Sequence, residues 1–508
     1  MKPLSLALVW LVLLSASVGH SQITGKPIPE LSDFDDEMQK YMGDNKIKAG
    51  VLAVSRNGVI IYQRGFGENY WGQPLPENTP MRIASVSKPL TAAAIRHLAN
   101  NSDLNLQDNV FDLGQTNGGI LNYKKLPNHP SIDSDVQNIT VQHLLDHTSG
   151  WNESIDPLSG GHFTVAKAAG VCSPPGRENI ASYMLGQKVK GPLQDVNGLP
   201  IPAKFSYLNA GYMLLGLIIE KKSFMSHIDY LQQTLITPDL WVPRTELIFG
   251  RSLRKYQNPR EPRYDDDCVD YDSKNKVRSC FELQCNCDPG DGRLCCNPED
   301  DRPGCSPGDE WSGCDPGVKR LCCIGPCVCD PYGGRHQESF VGHGNLVASA
   351  APLLKLLDRY KFHVSKNCGE HLTKPGQYDS DISGLLPGTR AIACQRTDGI
   401  NIVVLFPNNN SARALKDRIE TIISDLENDP SFTWPDQAVD GFWVDFDSIP
   451  NVNFYGGHDD PFPSFGTALA RVSDGTKMRI KAGSSSWTGV ISKRLLIDAP
   501  YGKVVIGK

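Results

Sequence analysis

The chain has 508 residues, 40% of them hydrophobic, and a formal net charge of -6. That length holds one large domain with additions, and an acidic balance without any Lys/Arg run argues against a nucleic-acid partner. Past the N-terminus no apolar run approaches the roughly 20 residues of a membrane span, so no membrane anchor is expected in the mature protein.

Met1 to about Gln22 combines Lys2, an apolar run from Leu4 to Val18 and the small residues Ser17, Gly19 and Ser21. This is the pattern of a secretory signal peptide over residues 1–22, and it predicts a secreted, extracellular protein. Cysteine usage agrees: of 15 cysteines, twelve lie between Cys268 and Cys329, which in a secreted chain implies disulfide bonds. Sequons at Asn100, Asn138, Asn152 and Asn409 are expected glycosylation sites if the host is eukaryotic.

Ile47 to Gly67 reads as a hairpin turning at Asn57-Gly58. Within the stretch Arg82 to Asn101 a helix is expected, with an apolar stripe of Leu90, Ala93, Ile95 and Leu98. At its head stands Ser85-Val86-Ser87-Lys88, an S-x-x-K that puts serine and lysine one turn apart on the same face. A lysine so placed can take the proton of the serine hydroxyl, and the unpaired N–H groups of the first turn favour a developing oxyanion. The copies at Ser252 and Ser273 lie in polar, Pro- and Asp-rich surroundings and read as surface loops.

Asn138 to Ser154 is expected to form a short helix ending at Thr148-Ser149-Gly150. His143 and His147 stand at i, i+4, but the Glu of a zinc-protease motif is missing, so structural roles are expected and no metal is assigned. Tyr207-Leu208-Asn209 then immediately precedes a strongly apolar helix.

From 264 to 330 the composition changes to an acidic, Cys-rich segment with an internal repeat (Cys287 to Cys296, Cys314 to Cys323). It reads as a disulfide-linked insertion unable to build its own core. Gly304-Cys305-Ser306-Pro307-Gly308 mimics a nucleophile elbow, but no strand-turn-helix surrounds it. Beyond it come a Gly loop and amphipathic helix (His343 to Tyr360), two strands about Thr397-Asp398-Gly399 (Ile382 to Phe406), a helix (Ser411 to Leu426), and a β-rich extension over 436–508.

In this order the motifs resemble the serine β-lactamase and penicillin-binding-protein superfamily, in the branch of class C β-lactamases, D-alanyl-peptidases and esterases. The resemblance covers about residues 46–426 and rests on the opening hairpin, S-x-x-K, ITVQHLLDHTSG, FSYLNAGYMLLG and SGLLPGT. It implies an α/β (α+β) fold of the β-lactamase/transpeptidase type, an antiparallel sheet flanked by helices plus an all-helical subdomain. Carried over by position, Ser85 would be the acyl-accepting nucleophile, Lys88 its base, Tyr207 the proton shuttle and Asn209 a substrate-orienting group. The closing strand would bring Ser383, Gly384 and Leu385 to the site, the Leu385 N–H completing an oxyanion hole with that of Ser85.

One motif departs from the family. Where relatives carry K-T-G or H-x-G, this chain has Ile382-Ser383-Gly384, a hydrocarbon in place of a cation, which argues against β-lactams and peptide C-termini as substrates. Two expectations follow. One is a secreted serine hydrolase acting on a small-molecule ester or amide, with no cofactor. The other is an extracellular-matrix protein of reduced or no catalysis, since the overall plan also resembles β-lactamase-like shell-matrix proteins of molluscs (the gigasin group). On that reading the acidic insertion would bind Ca²⁺ weakly and meet matrix or mineral.

Overall fold

The computed structural model describes residues 22–270 and 327–507 apart from short interruptions, those of four residues or more being 252–255, 331–336, 364–370, 374–379, 436–441, 448–460 and 473–476. The leader, the interior of the Cys-rich segment and Asn409 lie outside the described residues.

At the centre is a six-stranded antiparallel sheet. Its strands are β1 (Ile23–Thr24), β2 (Ala49–Arg56), β3 (Val59–Gly67), β4 (Ser380–Leu386), β5 (Thr389–Gln395) and β6 (Ile400–Phe406), in the order β1-β3-β2-β6-β5-β4. The β2–β3 turn is the expected one, with Asn57 at φ 49° and Gly58 at φ 84°, the positive pair that matches the twist of the flanking strands. Where two strands were expected over Ile382 to Phe406 there are three, because Pro387-Gly388 closes a second turn, with Gly388 at φ 67°.

Side chains alternate across this sheet, yet both faces are buried, so the strands read in sequence as unbroken apolar runs. Val51, Ala53, Ala391, Ala393, Val403 and Leu405 face one core. In that core lie helix α2 (Ser87–Asn100), helix α3 (Asn209–Ser223) and helix α4 (Ala350–Arg359), with the shorter helices Val141–Leu145, His162–Ala169 and Arg177–Met184. Leu52, Val54, Ile392, Cys394, Ile402, Val404 and Phe406 face the other, against α1 (Ser32–Asp44) and α5 (Ala412–Asn428).

The C-terminal extension docks on that second face. Phe442, Val444, Phe462, Met478 and Ile480 join its core, and the Arg56 guanidinium lies 5.4 Å from the Trp434 ring centroid. Its short strands pair in parallel, and it includes a helix, Phe465–Arg471, that sequence did not suggest. Another short strand, Leu346–Ala348, lies within the segment expected to be a Gly loop, between Met81–Arg82 and Leu247–Phe249. The two ends of the Cys-rich segment, Asp267–Asp270 and Cys327–Asp330, pair antiparallel.

Behind α2 lies a buried polar contact. Thr91 donates to the Gly342 carbonyl at 2.7 Å, which leaves its oxygen to accept from His227 Nε2 at 3.0 Å. Burial, and secondarily the charge of Arg177, lower the His227 pKa to about 3 from an ordinary 6.5. A depressed histidine contributes stability that is complete above about pH 6.5 and is lost as pH falls toward 3. Between pH 7 and 4 the wild type should therefore lose about 3 kcal/mol more than His227→Gln in urea unfolding, whereas equal losses would contradict a neutral buried ring.

Candidate active site

Three elements deliver the site. Met81–Arg82 pairs with Leu346–Ala348 and passes through a 3₁₀ turn, Ala84–Val86, into α2, so Ser85 sits on the turn and Lys88 in the first helical turn. Ala84 takes φ 46°, a left-handed conformation a non-glycine residue rarely adopts. Such strain persists where surroundings fix it. Here strand β4 presses on the turn: a Cβ on Gly384 would stand 2.1 Å from the Ile83 carbonyl oxygen, so only glycine permits the approach. Because β4 is an edge strand of the sheet, one row of its amides faces away from β5.

Lys88 is fully buried. Its Nζ lies 2.8 Å from Ser85 Oγ, in a short contact with Tyr207 Oη, and 3.3 Å from the His343 carbonyl. Tyr207 Oη in turn donates to Ser85 Oγ at 2.9 Å, closing a triangle of three functional groups. Lys88 Nζ also stands 4.7 Å from the Tyr207 ring centroid and 5.9 Å from that of Tyr212. Ser85 and Tyr207 are only half-buried, so a substrate can reach the triangle.

Sequence reasoning missed what holds Tyr207 in place. His147, at φ 54°, stacks on Tyr207 (centroids 4.7 Å apart) and Tyr212 (5.0 Å), and its Nδ1 accepts from the Leu208 N–H at 3.0 Å. Its i, i+4 companion His143 instead closes a capping box with Thr140. The head of α3 has no cap from its own N-cap residue, Leu208; the carboxylate of Asp156 accepts from the N–H groups of Asn209 (2.6 Å) and Ala210 (3.3 Å). Burial raises the pKa of this carboxyl, and the backbone hydrogen bonds and the Lys88 charge oppose the rise. Asp156 stands 53 residues before Asn209, so no local pattern announces it.

The remaining expected residues fall as follows. Asn209 Nδ2 donates to Ser159 Oγ at 3.0 Å, which fixes the carboxamide two residues along the chain from Tyr207. Ile382 is buried and belongs to the core shared with α2, Ser383 is exposed, and Leu385 is 62% exposed beside the turn. The Arg390 guanidinium bonds the carbonyls of Leu386 and Thr389 in its own hairpin turn. Of the sequons, Asn100 is exposed at the end of α2, Asn138 bonds Asp135, and the Asn152 carboxamide oxygen caps a turn by accepting from the Ser154 N–H.

Removing the tertiary cap should show in stability. Asp156→Ala leaves the first amides of α3 without an acceptor and should cost about 1–3 kcal/mol in thermal or urea unfolding. Asp156→Asn, which keeps an acceptor oxygen, should lose less; equal stability of all three proteins would contradict the cap.

Comparison with known proteins places this geometry in context. The chain is 28% identical over 199 residues to a penicillin-binding protein of Bacillus subtilis, covering 39% of this chain and 38% of that protein. It is 31% identical over 121 residues to the esterase EstB of Burkholderia gladioli, covering 23% and 28%. The matches therefore span well under two thirds of either relative. A β-lactamase/D-alanine carboxypeptidase from Yersinia pestis superposes with a TM-score of 0.48 at 13% identity, over 78% of this chain and 99% of that one. The Beta-lactamase family profile matches residues 34–391, most of the sequence, and the chain belongs to the Beta-lactamase family.

Proposed function

We propose that the protein is a secreted serine hydrolase that cleaves an uncharged ester or amide through an acyl-enzyme on Ser85. The triangle of Ser85, Lys88 and Tyr207 carries this reading: an amine and a phenol able to relay a proton lie within hydrogen-bonding range of one half-exposed hydroxyl. As Ser85 Oγ attacks the substrate carbonyl carbon, its proton passes to the Lys88 amine, either directly or through the Tyr207 oxygen. Tyr207 then gives a proton to the leaving alkoxide or amine as the carbonyl carbon releases it, and recovers one from the proton now held on Lys88 Nζ. Water repeats the sequence to free the acid. The N–H groups of Ser85 and Leu385 are the proposed oxyanion donors, supported by the packing of β4 against the turn.

The preference for an uncharged substrate rests on Ile382 and Arg390. The first puts hydrocarbon where relatives keep a cation, and the second is held in its own turn. Both an esterase and a penicillin-binding protein stand among the relatives, which supports acyl transfer without choosing the acyl group. Export is supported by the apolar run Leu4 to Val18.

Incubation with a fluorophosphonate, read by intact mass and peptide mapping, should give one adduct on Ser85 that is absent from Ser85→Ala. Lys88→Met and Tyr207→Phe should slow p-nitrophenyl acetate hydrolysis by roughly 10²-fold or more. Absence of any adduct on folded wild-type protein would contradict the hydrolase and leave the matrix-protein reading.

A further inference from the structure

We infer that Tyr264, supported by Glu261, is a positioning residue for the Ser85 nucleophile, an inference that rests on the hydrolase reading above. Arg82 lies two residues before the strained Ala84 and belongs to a strand that, among the described residues, pairs as a strand with Leu346–Ala348 alone. On its other side the Arg82 N–H donates to Tyr264 Oη at 2.8 Å. The phenol O–H donates to the Glu261 carboxylate at 2.9 Å, and the other Glu261 oxygen accepts from the Asn258 N–H at 3.0 Å. The Arg82 guanidinium covers the Tyr264 ring at 5.0 Å and donates to the Arg251 carbonyl at 2.9 Å. Tyr264, Glu261 and Arg82 are all buried.

A side chain thus does what a neighbouring strand would do, accepting from the Arg82 amide of the segment that delivers the nucleophile. The ordinary role for a buried Tyr–Glu pair is to fill and satisfy a core. Two features point further. The acceptor serves a main-chain amide three residues from Ser85 Oγ, and the intervening Ala84 holds a conformation that relaxes when its flanks are released. Clamped by the Leu346 carbonyl through the Ile83 N–H, by Gly384 and by Tyr264, the turn has one place to put the hydroxyl. Tyr264 is also where the chain departs toward the Cys-rich segment, so the clamp joins the root of that segment to the reacting atom.

The test is Tyr264→Phe, which keeps the ring under Arg82 and deletes only the hydroxyl, with its bonds to the Arg82 N–H and to Glu261. Two readouts are needed: hydrogen exchange of the peptide spanning 82–86, and the rate constant, not the amplitude, of fluorophosphonate labelling. A merely structural role lowers the labelled fraction and leaves the rate of the folded molecules unchanged. Expected are exchange and labelling rate constants altered on the order of tenfold, faster and slower respectively. Glu261→Gln, whose amide carbonyl still accepts from the phenol while its amide nitrogen no longer accepts from the Asn258 N–H, should shift both readouts less than Glu261→Leu. Glu261→Leu leaves Tyr264 in place without its acceptor, should shift both readouts in the same direction, and decides the matter if Tyr264→Phe does not fold. Wild-type exchange and a wild-type rate constant in a folded variant overturn the inference. Should the wild type itself take no label, the hydrolase reading fails, while the exchange readout still decides whether Tyr264 fixes the turn.

Discussion

The arrangement depends on one buried amine. Lys88 has no exposed surface, and its nitrogen is surrounded by the oxygens of Ser85, Tyr207 and His343 and by two tyrosine rings. A buried amine demands that its hydrogen-bonding partners be held in place, because losing one leaves a polar group stranded in a low-dielectric interior. Each surrounding element meets that demand. The loop carrying the His343 carbonyl approaches α3 so closely that a Cβ on Gly216 would stand 3.0 Å from the Gly342 nitrogen. Tyr207 is fixed by the stack on His147 and by the capped head of α3.

The sheet is the second constraint. With both faces buried it behaves as a rigid plate, and its edge strand β4 is pressed onto the nucleophile turn. The strain at Ala84 sits where Tyr264, Leu346–Ala348 and β4 converge. The C-terminal extension lies on the far face, remote from this convergence, and completes a core that α1 and α5 begin.

What sequence revealed was whatever a short stretch encodes by itself. The Asn57-Gly58 hairpin, the serine and lysine one turn apart, and Tyr207 just before an apolar helix are all local patterns, and all three appear in the structure. What it hid depends on chain segments that meet only in the fold. Asp156 caps a helix 53 residues away, and Tyr264 reaches an amide 182 residues before it. His143 and His147 share helical spacing, yet one closes a capping box and the other braces the tyrosine. The Pro387-Gly388 turn is a local signal passed over, because the longer Thr397-Asp398-Gly399 turn nearby accounts for a hairpin equally well.

The most direct test of the account is a crystal structure of the protein after treatment with a p-nitrophenyl phosphonate ester. The account predicts a phosphorus–oxygen bond to Ser85 Oγ, the phosphoryl oxygen between the amides of Ser85 and Leu385, and Lys88 and Tyr207 still in contact with Oγ. An unmodified Ser85 in a folded, treated crystal, or an adduct whose phosphoryl oxygen turns away from Leu385, would contradict it.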